Sequence, residues 1–294
     1  MKKLFFIWII LALTACEELR YDDYIQDFDY TSVYFPFQDL ERSFVYGEFN
    51  NIQVAVQMGG RRENKANEWV EYVIDDEIPV DENLTFLSSE YYTLSDENQF
   101  PILPGDLGGE LTLTVTEEFF NMADTTAFYI PFRLTDTSVD TILENKTTMI
   151  LTLNVETAKF GHYYHNGVTE IDSVNGNTST IVYHQEEPVT NAINNWELIS
   201  YSHDTLVTDG ISDKKAGPLN YSFRMVIDDN NNVTISPNIA SVWQVTPDGE
   251  STYNPDKREF YINYKYQDAD GNNYTAKDTL IFRNRILDGV NQWQ

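Results

Sequence analysis

The sequence predicts an all-β protein made of two domains. Apolar and polar residues alternate with a period of two in many short segments, a pattern that is typical of half-buried strands. Glycine-containing or Asn/Asp-rich turn sequences separate these segments, and no segment keeps the 3.6-residue period of a long helix. A length of 294 residues is enough for about two domains of ordinary size.

The first series of strand patterns falls within residues 29–157. Strands are predicted at residues 32–37, 52–58, 68–74, 99–103, 111–115, 128–134 and 147–155. Turns are predicted at Gly59-Gly60, Pro104-Gly105 and Gly108-Gly109. A short helix is predicted at residues 117–122. Seven short strands with this spacing indicate a β-sandwich.

A second series of strand patterns occupies residues 160–287, after a break at residues 156–159. Strands are predicted at residues 221–227, 233–235, 260–266 and 273–283, and a short helix at residues 189–195. Asp270-Gly271 lies between the last two strand patterns and predicts a β-hairpin. We therefore expect a C-terminal β-sandwich or a barrel-like domain.

The first residues of the chain carry the pattern of an export signal. Two lysines precede the apolar run at residues 4–13, which is about half of the roughly 20 apolar residues that a spanning helix needs. Leu13-Thr14-Ala15-Cys16 resembles the bacterial lipobox, which implies that residues 1–15 are removed and that the Cys16 sulfur takes a diacylglyceryl group. The alternative is a buried core cysteine after a cleaved signal. A single cysteine forms no internal disulfide.

The chain is strongly acidic. Its formal charge of −28 becomes −30 when Lys2 and Lys3 leave with the signal peptide. So large a negative charge, without a basic stripe, repels phosphate backbones and argues against nucleic-acid binding. Residues 16–28 form an acidic linker that starts with Glu17-Glu18. This linker is interpreted either as an address for the cell surface or as simple solvation of a tether.

Sequence motifs for catalysis or metal binding are absent. H-E-x-x-H and G-x-S-x-G do not occur. His162 and His165 are three residues apart, which places them on opposite faces of a strand, and we expect surface or edge histidines. The run from Asp268 to Asn272 begins like a calcium loop, but its glycine and its twelfth residue do not fit, so a hairpin turn is predicted. We expect no metal and no cofactor.

Aromatic residues are the candidates for ligand binding. The 19 Tyr and 5 Trp of a strand-rich, exported chain could offer flat faces that stack on sugar rings. We predict glycan contacts by Trp196, Trp243, Tyr163 and Tyr164. The alternative for each of them is core or edge packing, because Tyr and Trp are also good strand formers.

Several segments together resemble one group of Bacteroidetes surface lipoproteins. In the first half these are VYFPF (33–37), VAVQMGG (54–60), EYVID (71–75), YYTLS (91–95), FFN (119–121) and YIPFRL (129–134). In the second half they are FGHYY (160–164) and YNP (253–255), the latter leading to residues 260–266. The resemblance implies an Ig-like N-terminal domain of uncharacterised function and a β-rich partner domain. Such proteins accompany SusC/SusD-type polysaccharide-utilisation systems, and the N-terminal domain also precedes family 18 endo-β-N-acetylglucosaminidases.

The resemblance and the lipobox together predict a non-catalytic lipoprotein. It would be anchored in the outer membrane through Cys16, face the cell exterior, and hold a polysaccharide or N-glycan for a SusC/SusD-type transporter. Acidic residues after the lipidated cysteine imply such surface export in this group. The alternatives are a structural or adhesion subunit that contacts surface proteins and, third, a glycosidase. The D-x-x-D-x-D-x-E pattern of family 18 glycosidases is absent.

Overall fold

The computed structural model describes residues 30–122, 127–185, 194–217 and 219–293. These residues form an almost entirely β structure with three sheets. The predicted signal peptide, Cys16 and the acidic linker 16–28 lie outside the described residues, as do residues 189–193 of the predicted second helix. Among the described residues, no helix has the length and apolar character needed to span a membrane.

Two facing sheets build the first domain. The first sheet has the strand order β10-β1-β3-β8-β6, with bounds β1 Ser32–Tyr34, β3 Asn51–Gly59, β6 Tyr92–Leu94, β8 Gly108–Val115 and β10 Thr141–Ile142. The second sheet has the order β2-β11-β9-β4-β7, with β5 paired to β9; its bounds are β2 Asp39–Tyr46, β4 Glu68–Ile74, β5 Thr85–Phe86, β7 Gln99–Ile102, β9 Phe128–Thr137 and β11 Thr148–Thr157. The predicted all-β sandwich is confirmed.

Apolar side chains from both sheets meet between them. Phe35 packs edge-on against Phe100, with ring centroids 5.9 Å apart, and against Phe132 at 6.4 Å. Helix α1, Glu117–Met122, forms as predicted and buries Phe119 and Phe120 at one end of this core. Short 3-10 turns occupy Ser89–Tyr91 and Glu144–Lys146.

The sequence interpretation missed four strands of this domain, the long β2 and the short β5, β6 and β10, and misplaced one turn. Strand β2 alternates poorly because it is an edge strand whose charged residues face water. Gly108 and Gly109 were predicted to form a turn and instead begin β8. A Cβ on Gly109 would lie 2.6 Å from the Pro101 carbonyl oxygen, so this glycine permits a close approach of β7.

The second domain is built on one strongly curved sheet. Its main order is β17-β16-β15-β14-β12-β21-β20-β18; β13 pairs with β12, β19 with β20 and β22 with β21. The bounds are β12 Gly161–Asp172, β13 Thr178–Tyr183, β14 Asn195–Ser200, β15 Thr205–Thr208, β16 Phe223–Ile227, β17 Val233–Pro237, β18 Thr246–Pro247, β19 Thr252–Asn254, β20 Glu259–Gln267, β21 Asn273–Leu287 and β22 Val290–Trp293.

This sheet curls back toward itself. An isolated bridge joins Asn232, just before β17, to Thr252 of β19. The Val233 N–H donates to the Ser251 carbonyl at 2.9 Å, and the Tyr253 N–H donates to the Asn231 carbonyl at 2.9 Å. These contacts bring the two ends of the strand order together, so the sheet encloses its own core. The second domain is therefore barrel-like, which is the second of the two forms predicted from the sequence.

The predicted hairpin is present and sets the register of the longest strands. Tyr266 of β20 pairs with Tyr274 of β21. In the turn, the Asp268 carboxylate accepts the backbone N–H groups of Asp270 and Asn272, each at 2.9 Å. Strand β12 was missed, because its aromatic residues stand on both faces and hide the alternation.

Candidate functional site

Two of the four predicted glycan contacts are core residues. Tyr163 and Trp196 both have no exposed surface. The Tyr163 ring packs against Phe260 and Phe282, and its hydroxyl donates to the Lys159 carbonyl at 2.7 Å. Because a buried ring has no face to offer a sugar, we assign both side chains to packing and correct the prediction.

His165 is also buried, which corrects the expectation of a surface or edge histidine. Its ring stacks on Trp196 with centroids 3.9 Å apart and an interplanar angle of 26°. It lies beside Asp278, whose carboxylate is equally inaccessible. His162, on the opposite face of β12, is half-buried, as the alternation of a strand requires. Within the described ranges, no three His, Cys, Asp or Glu side chains come together as a metal site would need.

Tyr164 lies on the outer face of β12. It is half-buried, and the Arg283 guanidinium lies 6.0 Å from its ring centroid. The same guanidinium lies 5.2 Å from the ring of Trp293, which is largely exposed. Tyr164 therefore points away from the domain interior, whereas Tyr163 and His165 point into it.

The fourth predicted residue, Trp243, is the centre of an aromatic cluster. It stacks on Tyr266 at 5.0 Å and 16°, and Tyr274 lies 6.1 Å away at 20°. Tyr221 meets Trp243 edge-on at 4.8 Å. Trp243, Tyr221 and Tyr274 are half-buried, whereas Tyr266 is buried. We call these four residues the Trp243 cluster.

The hairpin register builds the floor of the Trp243 cluster. Tyr266 and Tyr274 face each other across β20 and β21, and their rings are nearly parallel, with centroids 4.6 Å apart and an angle of 7°. Such cross-strand aromatic pairs stabilise a sheet and hold their rings in fixed positions. Trp243 therefore rests on a rigid surface.

A pinned loop holds Trp243 in place. The Val242 N–H donates to the Asn220 carbonyl at 2.9 Å, and the Ser222 N–H donates to the Ser241 hydroxyl at 3.2 Å. The Gln244 side chain donates to the Ser241 carbonyl at 2.9 Å. The same loop exposes Ile239 by 93% and Val242 by 65%, so apolar surface extends beside the cluster.

Carboxylates flank the tyrosine hydroxyls of the cluster. The Tyr274 hydroxyl donates to Asp268 Oδ2 at 2.9 Å. Burial, followed by this hydrogen bond and the negative charges of Asp268 and Asp213, raises the pKa of Tyr274 to about 12. Burial is also the main cause that raises the pKa of Tyr266. Both phenols are therefore protonated at neutral pH.

Beneath the cluster lies a buried polar network around Asp278. The Tyr264 hydroxyl donates to Asp278 Oδ2 at 2.6 Å, and the Tyr183 hydroxyl donates to Oδ1. Thr169 bonds both Tyr183, at 2.9 Å, and Ser212, at 2.6 Å. The rings of Tyr264 and Tyr266 are 6.2 Å apart, so the network adjoins the Trp243 cluster.

Stacked rings, exposed apolar side chains and nearby carboxylates are the groups that bind the faces and hydroxyls of sugars. Sequence reasoning identified Trp243 but missed its partners, Tyr221, Tyr266 and Tyr274. The predicted hairpin contained a usable signal, because a turn centred on Asp270 places residue 266 opposite residue 274.

The fold and the cluster define a two-domain, all-β protein with an aromatic surface in its second domain. Residues 160–286 match the family model of DUF5627, a domain of unknown function. Residues 28–141 match a family model described as an N-terminal domain. No curated protein matches the chain.

Solved structures from Bacteroides align with most of this chain. A structural-genomics protein of unknown function from Bacteroides ovatus is 17% identical, with a TM-score of 0.67 over 90% of this chain and 98% of its own. A second such protein from the same organism is 11% identical, with a TM-score of 0.45 over 89% and 97%. An auxiliary nutrient-binding protein from Bacteroides thetaiotaomicron is 13% identical, with a TM-score of 0.43 over 86% and 93%. Of these three, the first shows a shared two-domain fold.

Proposed function

We propose that this protein is a non-catalytic glycan-binding lipoprotein of the bacterial cell surface. A lipid on Cys16 would anchor it in the outer membrane, and the acidic linker 16–28 would direct it to the exterior. It would hold a polysaccharide for a SusC/SusD-type uptake system. The observation that carries the proposal is the Trp243 cluster, a rigid set of stacked rings at the surface of the second domain.

The cluster suits a sugar ligand for three reasons. The half-buried edges of Trp243 and Tyr221, continued by the exposed Ile239, offer apolar surface to the C–H faces of a pyranose. The Asp268 carboxylate accepts four hydrogen bonds, from Asp270, Asn272 and Tyr274, and so orients the Tyr274 hydroxyl, whose oxygen can accept a bond from a sugar hydroxyl. The ring positions are fixed before binding, so little side-chain entropy is lost when a ligand arrives.

Charge favours an uncharged glycan at this surface. The Asp268 carboxylate accepts the Tyr274 hydroxyl at 2.9 Å, so a negative charge lies beside the rings. Like charges placed next to each other disfavour binding. We therefore expect neutral, hydroxyl-rich polysaccharides to bind more tightly than sulfated or uronate-rich ones.

Weak binding is sufficient for the proposed role. A polysaccharide offers many copies of the same unit, and many anchored proteins can engage one chain, so repeated weak contacts add to a high overall avidity. The ligand is then concentrated near the membrane without a chemical step.

The test is the electrophoretic mobility of a protein comprising residues 17–294 in native gels. Each gel contains one polysaccharide from a panel of neutral and acidic glycans. We expect retardation by at least one neutral polysaccharide, and loss of retardation in Trp243→Ala. Trp69→Ala is the matched control, since Trp69 is a half-buried tryptophan of the other domain. The proposal fails if no polysaccharide binds at millimolar concentrations of its sugar units.

The anchor is tested separately from the ligand. Cells given a radiolabelled fatty acid should label the wild-type chain and not the Cys16→Ala variant. Added protease should degrade the anchored chain on intact cells. Labelling that survives Cys16→Ala, or full protection from protease, would contradict the proposed anchor or its orientation.

A further inference from the structure

A cavity lies where the two domains meet. Strand β11 ends at Thr157 and β12 begins at Gly161, so the connection is only residues 158–160 long. Beside it is a space of about 420 Å³, lined by Glu48, Ala158, Lys159, Asn231, Tyr253, Pro255 and Arg258. This volume is within the usual range of small-molecule sites, which often occur at domain interfaces.

Two cations on this wall have no acidic partner. The Lys159 ammonium lies 5.5 Å from the Tyr253 ring centroid and forms no ion pair with any described residue. Burial lowers the pKa of Lys159, while the charges of Asp204, Asp229 and Glu48 oppose that shift. The Arg258 guanidinium stacks on the Phe282 ring at 3.3 Å and likewise has no ion pair within the described part of the chain.

The one carboxylate that lines the cavity is already neutralised. Glu48 forms an ion pair with Arg285, which is 5% exposed and also donates to the Ala158 carbonyl at 3.1 Å. Among the described residues, neither Lys159 nor Arg258 is held in an ion pair, while Asp204 and Asp229 act on Lys159 from the adjoining cavity.

The backbone of Arg258 is held in an unusual conformation. Its φ of 54° lies in the left-handed region, which a residue with a long side chain rarely adopts. Arg258 ends the loop between β19 and β20, where Asn254 pairs with Glu259, and a left-handed residue is regular in such short hairpin loops. Here the Arg258 carbonyl accepts the Phe282 N–H at 3.1 Å, and this bond helps to fix the residue beside the cavity.

A neighbouring acidic cavity limits which anions would fit. It has a volume of about 400 Å³, shares Ala158, Lys159 and Asn231 with the first, and adds Asp204, Asp228 and Asp229. A large polyanion would extend over these carboxylates and be repelled. A ligand with a single negative charge could place that charge between Lys159 and Arg258 and its hydroxyls toward the acidic side.

We propose that the interdomain cavity binds a monosaccharide-sized ligand that carries one carboxylate, of the uronic acid class. The carboxylate would lie between the Lys159 ammonium and the Arg258 guanidinium. This guanidinium stacks on Phe282 and contacts the Tyr253 hydroxyl, and its remaining N–H groups can donate to a carboxylate. The Asn231 amide faces the ligand hydroxyls. This site is distinct from the Trp243 cluster in position, in charge and in the class of sugar it takes.

The experiment is titration calorimetry of residues 17–294 at low salt with glucuronate, and with glucose as the neutral match. We expect binding of glucuronate, no measurable binding of glucose, and at least a tenfold loss of affinity in Lys159→Gln and in Arg258→Gln. Lys257→Gln is the control, since Lys257 is exposed and adjacent to Arg258 but does not line the cavity. Raising the salt concentration should weaken binding, because the interaction is electrostatic.

The variants separate this site from the proposed glycan surface. Trp243→Ala should leave glucuronate affinity unchanged, so either proposal can fail alone. Lys159→Gln keeps the backbone carbonyl that accepts the Tyr163 hydroxyl, so it should fold even if Arg258→Gln does not. Equal affinity for glucose and glucuronate, no binding at 10 mM glucuronate, or unchanged affinity in Lys159→Gln would each overturn the proposal.

Discussion

The His165 Nε2 atom lies 3.0 Å from Asp278 Oδ2, and neither side chain has any exposed surface. The contact is close but not aligned as a hydrogen bond, and the carboxylate takes its bonds from the hydroxyls of Tyr264 and Tyr183. A buried carboxylate is tolerated only when hydrogen-bond donors surround it, and here these are the two tyrosine hydroxyls. These residues join β12, β13, β20 and β21, so the network specifies how the second domain closes.

Asp278→Ala should therefore destabilise the protein strongly. It removes the acceptor of the buried Tyr264 and Tyr183 hydroxyls, at a cost of about 1–3 kcal/mol for each donor left unpaired. Urea unfolding followed by fluorescence measures the loss. Asp248→Ala is the control, because its pair with Lys265 is exposed and 3.5 Å long, and such pairs contribute about 0–1 kcal/mol. A loss below about 1 kcal/mol for Asp278→Ala would contradict this assignment.

Gly210→Ala should destabilise the second domain through a steric clash. A Cβ at this buried position would overlap the Trp196 indole, which is itself stacked on His165 and cannot move freely. Overpacking of this kind costs about 1–3 kcal/mol. Gly59→Ala is the control, since its nearest contact would be an ordinary 3.6 Å. Equal melting temperatures for the two variants would show that the Trp196 site is loosely packed.

Asp268 should make the hairpin sensitive to acid. The Asn272 side chain and the backbone N–H groups of Asn272 and Asp270 hold the pKa of the Asp268 carboxyl below its usual 3.8. The folded carboxylate thus takes its proton at lower pH than the unfolded one, so its stabilisation is complete above the unfolded pKa and is lost as pH falls through the folded pKa.

The Asp268→Asn variant measures this contribution. Its melting temperature should fall less than that of the wild type when the pH is lowered from 5 to 3, although it starts lower at neutral pH. Asp256→Asn, at an exposed position outside this turn, should keep the wild-type pH profile. If the melting temperatures of wild type and Asp268→Asn fall equally as the pH is lowered, Asp268 is not a source of acid sensitivity.

Arg285 should couple the two domains. It pairs with Glu48 of the first domain, bonds the Ala158 carbonyl of the connection, and its guanidinium lies 5.5 Å from the Phe160 ring centroid. Arg285→Met removes these polar contacts, so calorimetry should show a wider separation between the unfolding transitions of the two domains. Lys277→Met, on the same strand but exposed, should not change the transitions. If the unfolding transitions of Arg285→Met match those of the wild type, contacts other than those of Arg285 couple the two domains.

Long strands that alternate cleanly were mostly predicted from the sequence, whereas two long strands with weaker patterns, β2 and β12, were missed. Residues 52–58 and 260–266 show one buried and one exposed face, whereas β2 is a charged edge strand and β12 carries aromatics on both faces. The alternation of apolar and polar residues identifies a strand only where its two faces differ in polarity. It gives no signal where both faces carry similar residues.

The site was predictable only in part, for a related reason. In the sequence, Tyr163 and Trp196 are aromatic residues of a strand-rich region just as Trp243 is, and only the closure of the sheet decides which rings are buried. The interdomain cavity depends on Glu48, Lys159 and Arg258, which are brought together by the docking of the two domains and by no local pattern.

The central claim, that the Trp243 cluster is a glycan-binding surface, is tested most directly by calorimetry with the polysaccharide that retards residues 17–294 most strongly. The wild type and Trp69→Ala should bind with equal affinity, whereas Trp243→Ala should bind at least tenfold more weakly while still showing a cooperative melting transition. Wild-type affinity in a folded Trp243→Ala variant would contradict the claim.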